Sequence, residues 1–148
     1  MKKNKNLTII SIISSIIIFD QITKLIVLKY LKPIIEIKLF PFLYLTYTQN
    51  TGAGFSILQN QKILLIVLSI VIIGFLIYYY KKFKKNEQFA IQLILGGAIG
   101  NLIDRIFHGF VIDFINIRVW PIFNIADCAI SIGIILLLYF NFFKKDKN

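Results

Sequence analysis

Four apolar runs, each about as long as a bilayer is thick, constrain this chain more than any motif does. They cover about residues 7–28, 63–80, 88–107 and 122–143 of 148. A helix that crosses the hydrocarbon core needs roughly 20 mostly apolar residues. The chain is 57% hydrophobic with a mean hydropathy of +0.76, too apolar for a domain of this size with a polar surface. The expected fold is therefore a membrane all-α protein, a four-transmembrane-helix bundle, in one domain over 1–148. Residues 29–61 differ in texture. Ile34–Phe40 and Phe42–Thr48 alternate in polarity and are rich in β-branched and aromatic residues, with Pro33, Pro41 and a glycine-rich stretch as punctuation. They predict a small extracytoplasmic β-sheet on the bilayer surface, inserted between helices 1 and 2.

Charge gives the orientation. The 17 basic residues against 7 acidic ones leave a formal charge of +10. The lysines cluster beside the apolar runs, at Lys2, Lys3 and Lys5, at Lys81 to Lys85, and at Lys144 to Lys147. That pattern suits membrane topology and lipid headgroups, not nucleic acid. It places both termini in the cytoplasm. The first run is too long for a signal-peptide core and contains Asp20 and Lys24, so it reads as a helix that stays. One cysteine, Cys128, excludes an internal disulfide, and one cysteine with one histidine excludes the usual zinc sets. No metal or cofactor is expected.

With that orientation the suspicious acids share a depth. Asp20 lies roughly 12 Å below the outer end of the first helix, at 1.5 Å per residue. Asn101, Asp104 and Arg105 lie at the outer end of the third, and Asn124 and Asp127 open the fourth from the same side. Charge in a bilayer is costly unless paired or neutralised, which makes such residues functional candidates. Asp20 and Lys24 stand at i,i+4 and are expected to pair. Arg105 can fork onto a carboxylate, and Asp104 is its expected partner. Asp113, in the loop segment Val111–Phe114, and Asp127 have no basic neighbour in sequence. Gly96, Gly97 and Gly100 offer a face on which a helix can approach closely. His108 reads as an interfacial loop residue.

Five short blocks resemble the bacterial lipoprotein signal peptidase (signal peptidase II) family of intramembrane aspartic proteases. They are Asp20–Lys24 (DQITK), Asn50–Phe55 (NTGAGF), Gly96–Arg105 (GGAIGNLIDR), Val111–Phe114 (VIDF) and Phe123–Asp127 (FNIAD). Each is weak alone, but they stand in the family's order over nearly the whole chain. The resemblance implies that Asp113 and Asp127 form a catalytic dyad. It also implies that Asp20, Lys24, Asn50, Gly52, Gly97, Asn101, Asp104, Arg105, Asn124 and Ala126 support the site or line it. The Asp113–Asp127 segment is short for the family. The implied substrate is a diacylglyceryl-modified prolipoprotein, cut on the amino side of the lipidated cysteine. The implied setting is the bacterial inner membrane, with membrane lipids as partners, a monomeric enzyme and an active site toward the outer leaflet. Two other classes compete: a small proton-coupled transporter, whose acids would spread across depth or lie at the midplane, and a non-catalytic membrane scaffold that uses ion pairs for packing.

Overall fold

In the computed structural model, residues 2–53 and 57–142 are described, with side chains from residue 9 onward. Helix α1 (Lys2–Ile26) runs into a π-helical turn (Val27–Leu31), followed by strands β1 (Glu36–Phe40) and β2 (Leu43–Asn50). Helices α2 (Lys62–Tyr79) and α3 (Lys85–Phe107) come next, then β3 (Val111–Asn116) and α4 (Ile125–Phe142). All four helices are long and apolar enough to cross a membrane. Gly54 and Phe55 of the second motif, and Phe143 with the lysines after it, lie outside the described residues.

Helix α3 is the central element. More than half of its spanning window is buried, against 17% or less in each of the others, and α1, α2 and α4 all pack on it. The outward faces of α2 and α4 carry exposed Ile63, Val71, Ile135 and Phe142. In water this would be a liability; against acyl chains it costs nothing. Glycines set the spacing. A Cβ at Gly96 would meet the Ile16 side chain of α1 at 2.9 Å, and one at Gly97 would collide with the Ala126 carbonyl of α4. The two faces of one glycine stretch thus seat two different helices, where the sequence suggested a single face. Gly133 does the same from α4, lying against Ala90 and Ile94 of α3. Helix α3 begins three residues before the expected start. The Glu87 carboxylate accepts the Lys84 N–H at 2.8 Å and caps the first turn.

The sheet is antiparallel in the order β1-β2-β3. Its third strand departs from the sequence expectation of a loop over 111–114. Val111, Ile112, Phe114 and Ile115 make the stretch as β-prone as β1, and Asp113 sits opposite Thr48 in the ladder. The sheet is therefore built from two of the three inter-helix connections, α1–α2 and α3–α4. Val27 and Leu31 at the end of α1 pack beneath it with Ile112 and Phe114. That apolar contact fixes the strand bearing Asp113 to the top of the bundle.

Candidate active site

A single buried ammonium organises the polar end of the bundle. Lys24 is 1% exposed, and its three N–H bonds have three acceptors. These are Asp20 Oδ2 at 2.8 Å, Asp104 Oδ2 at 2.9 Å and Asn101 Oδ1 at 3.1 Å. A buried charge is tolerable only when its pairing is this complete. Both aspartates are themselves satisfied further. Asp20 Oδ1 accepts the Ala126 N–H at 2.9 Å, and Asp104 Oδ2 accepts the Ile112 N–H at 3.1 Å. The Gln21 amide bridges them, donating to Asp20 Oδ2, to Asp104 Oδ1 and to the Gly100 carbonyl. This role of Gln21 is absent from the sequence reading, although an amide inside an apolar run is the available signal. Gly100 is the close approach this requires, since a Cβ there would stand 2.7 Å from Asp20 Oδ2.

This arrangement corrects one expectation. Asp104 pairs with Lys24, not with Arg105. Successive helical residues point in different directions, so Asp104 turns into the bundle while Arg105 turns toward the sheet. There its Nη2 donates to the Gly52 carbonyl at 3.0 Å. Gly52 is in turn held by its own N–H, which donates to Asn50 Oδ1 at 2.9 Å. A Cβ on Gly52 would stand 2.6 Å from the Ile57 carbonyl, so the turn needs glycine.

Two asparagines connect the lysine cluster to the remaining acids. Asn101 turns its oxygen to Lys24 and donates Nδ2 to Asp127 Oδ1 at 2.8 Å. Asn124 donates Nδ2 both to Asn101 Oδ1 at 3.1 Å and to Asp113 Oδ1 at 2.7 Å. From the sheet, Asn50 Nδ2 donates to Asp113 Oδ2 at 2.9 Å. Asn124 and Asp127 also cap α4 reciprocally. The Asp127 N–H donates to Asn124 Oδ1 at 2.9 Å, and the Asn124 N–H donates to Asp127 Oδ2 at 3.2 Å. Asp113 and Asp127 are therefore held by amides, and among the described residues neither has an ion-pair partner. Asp113 is only 2% exposed. Burial pushes its carboxyl up from the usual 3.8 to about 7, aided by the charge of Asp127 and opposed by the hydrogen bonds of Asn50 and Asn124.

Asp113 and Asp127 open into a common cleft of about 550 Å³. One wall is polar, with Thr48, Asn50, Thr51 and Arg105. Apolar lining comes from the residues 120–123 (Trp120, Pro121, Ile122, Phe123) and from Ile130 of α4, beside Ser131. The apolar lining is not legible in the sequence, where Ile122 and Phe123 read as the start of a span and Trp120 and Pro121 belong to the connection before it. His108 is exposed at the end of α3, beside Phe110. Among the described residues, no group of three His, Cys, Asp or Glu side chains could hold a metal ion.

An apolar four-helix bundle that gathers four aspartates at one end, and opens two of them into a half-apolar cleft, defines a polytopic membrane protein. Residues 12–143 match the family model described as signal peptidase (SPase) II. The chain belongs to that family. It is 46% identical over 131 residues to a lipoprotein signal peptidase of Thermodesulfovibrio yellowstonii, covering 85% of this chain and 88% of that one. A lipoprotein signal peptidase of Halothermothrix orenii is 42% identical over 132 residues, covering 84% and 88%. Among solved structures, one of a bacterial membrane enzyme superposes with a TM-score of 0.86 at 36% identity, covering 95% of this chain and 93% of that one.

Proposed function

We propose that the chain is one integral membrane peptidase domain that removes signal peptides from prolipoproteins, acting as an aspartic endopeptidase with Asp113 and Asp127 as its dyad. The observation that carries the catalytic assignment is the division of the buried acids. Asp20 and Asp104 both pair with Lys24, whereas Asp113 and Asp127 share a cleft and, among the described residues, make no ion pair and are held by amide donors. Two carboxyls in such a site resist ionising together, so the pair holds one proton between them, and its titration belongs to the pair.

The chemistry then needs no other reagent. The ionised carboxylate takes a proton from a water whose oxygen attacks the scissile carbonyl carbon. The protonated carboxyl hydrogen-bonds to the carbonyl oxygen and stabilises the negative charge that develops there. A proton passes to the amide nitrogen, the C–N bond breaks, and the carboxyl and amine products leave the dyad singly protonated again. Asn50, Asn101 and Asn124 hold both carboxyls in place with uncharged donors, and the charges of Lys24 and Arg105 act on them from beyond ion-pair distance. Gly97 and Ala126 let α3 and α4 close behind Asp127, and Arg105 with Gly52 holds the polar rim.

The substrate proposed is a diacylglyceryl-modified prolipoprotein, cut on the amino side of its lipidated cysteine. A half-apolar cleft beside lipid-facing helices suits a substrate that is part peptide and part acyl chain. The lysine clusters support a multi-pass topology in the bacterial inner membrane with both termini cytoplasmic, which puts the cleft toward the outer leaflet. The enzyme is proposed to act as a monomer. The test is cleavage of a diacylglyceryl-modified prolipoprotein by the purified protein in lipid, beside Asp113→Asn and Asp127→Asn. The unsubstituted protein is expected to cleave and both variants to fall by about 10³-fold or more. Full cleavage by either variant would remove the dyad.

A further inference from the structure

Arg118 lies two residues beyond β3, on the connection that joins the strand of Asp113 to the helix of Asp127, and it is tied down unusually well for a surface loop. Its backbone is in the left-handed region, with φ at 67°, a conformation that a long side chain seldom adopts without compensation. The Arg118 N–H donates to Asn116 Oδ1 at 2.9 Å. Its guanidinium lies over the Tyr44 ring, 3.8 Å from the centroid, and donates Nη2 to Glu36 Oε1 at 2.6 Å. The other Glu36 oxygen accepts the Thr46 hydroxyl at 2.7 Å, and Thr46 Oγ1 accepts Asn116 Nδ2 at 3.0 Å. The Thr46 hydrogen bond, then Arg118, holds the Glu36 carboxyl below its ordinary range. All three strands thus contribute to one clasp around a single arginine.

An exposed ion pair by itself adds little to stability, and Glu36 and Arg118 are both partly exposed. Their importance comes from the segment of chain that Arg118 anchors. Residues 119–122 leave the clasp and run along the cleft, with Trp120, Pro121 and Ile122 lining it. At Phe123 the chain is caught again, by hydrogen bonds with the backbone of Ile115 in both directions. The segment is therefore a strap held at both ends. One end is backbone pairing; at the other, the side chain of Arg118 adds to the bonds of the Arg118 N–H to Asn116 and of the Val119 N–H to the Ile117 carbonyl.

We infer that Glu36, Tyr44 and Arg118 form a clasp that sets the position of the 119–122 strap, making Arg118 a positioning residue for substrate held between Trp120 and the polar wall. This deepens the proposed function and rests on it for its kinetic consequence, but not for its structural one. A planar guanidinium can lie flat on the Tyr44 ring while an edge N–H reaches the Glu36 carboxylate, a geometry that an ammonium does not reproduce. Arg118→Lys therefore fails to substitute fully. Arg118→Gly accepts the left-handed backbone without strain, and Arg118→Lys and Glu36→Gln, which add no backbone freedom, separate loss of the clasp from the freedom a glycine brings.

Trp120 is the sole tryptophan of the chain, so its fluorescence reports the strap directly. The experiment compares the full-length protein with Arg118→Gly, Arg118→Lys and Glu36→Gln in lipid nanodiscs. It reads Trp120 emission, quenching by acrylamide, and the kcat and KM for a diacylglyceryl-modified prolipoprotein. Arg118→Gly is expected to increase quenching and to raise KM about tenfold with kcat within about twofold, with smaller changes in the same direction for the other two. Trp120 quenching unchanged in all three variants overturns the clasp, whatever the cleavage assay gives. A loss confined to kcat overturns the positioning role. Failure of the unsubstituted protein to cleave counts against the proposed function instead, and the fluorescence comparison still decides the clasp.

Discussion

The two halves of the buried acid cluster use the same residue type in the same part of the molecule, and they are built in opposite ways. Asp20 and Asp104 share one ammonium and receive backbone N–H groups, so each has a cation and a backbone donor as partners. Asp113 and Asp127 receive amide donors from Asn50, Asn101 and Asn124, together with the Asn124 backbone N–H, and face a cleft. A cation beside a carboxylate locks its charge. An amide orients the carboxylate while leaving it free to gain or lose a proton. Lys24 is thus the scaffold of the site, and the asparagines separate that scaffold from the proposed chemistry.

The largest effect is expected from removing the scaffold's cation. Lys24→Met keeps most of the volume but leaves Asp20 and Asp104 buried without a counter-charge, which costs roughly 3–5 kcal/mol. Thermal unfolding in detergent should show a large loss of stability. A triple variant that adds Asp20→Asn and Asp104→Asn should recover much of it. If Lys24→Met alone unfolds like the unsubstituted protein, the division between the two halves is wrong.

Next in size is an intrusion behind the amide-held half. A Cβ at Gly97 has no room against the Ala126 carbonyl, so Gly97→Ala must push the start of α4 away from α3. A cost of about 1–3 kcal/mol is expected, and cleavage should fall by more than the loss of folded protein explains, because Asp127 moves with Ala126. Equal losses of activity and folded fraction would separate Gly97 from the site.

The third effect is one of pH, and it concerns Asp113. Its folded value is raised from 3.8 to about 7, so between those values the folded state binds more protons than the unfolded one. Stability contributed by this group is complete below about 4 and declines as pH rises toward 7. Unfolding temperatures should follow that slope, and Asp113→Asn should flatten it. Cleavage should decline as pH rises through about 7, where the pair loses its shared proton.

Much of the architecture is legible in run lengths. The four helices correspond to apolar segments of spanning length, and two strands to the alternation between Ile34 and Thr48. The third strand escapes such a reading because Val111–Phe114 is short and carries an acid, and because its partner strand lies some 60 residues away in sequence (Thr48 against Asp113). Spacing finds the Asp20–Lys24 pair, since both residues lie on one helix. It misassigns Asp104, whose cation comes from a different helix and whose sequence neighbour Arg105 points elsewhere. The same limit hides the clasp. Glu36 and Arg118 are 82 residues apart, and only the closing of the sheet brings them together.

An aspartate scan puts the division of the four acids to its sharpest test. Asp20→Asn, Asp104→Asn, Asp113→Asn and Asp127→Asn are purified in lipid, and cleavage of a diacylglyceryl-modified prolipoprotein is measured per folded molecule. The variants at 113 and 127 are expected to fold and not to cleave. Those at 20 and 104 lose folded protein, and the molecules that remain folded still cleave. Undiminished cleavage by a folded Asp113→Asn or Asp127→Asn protein would contradict the division.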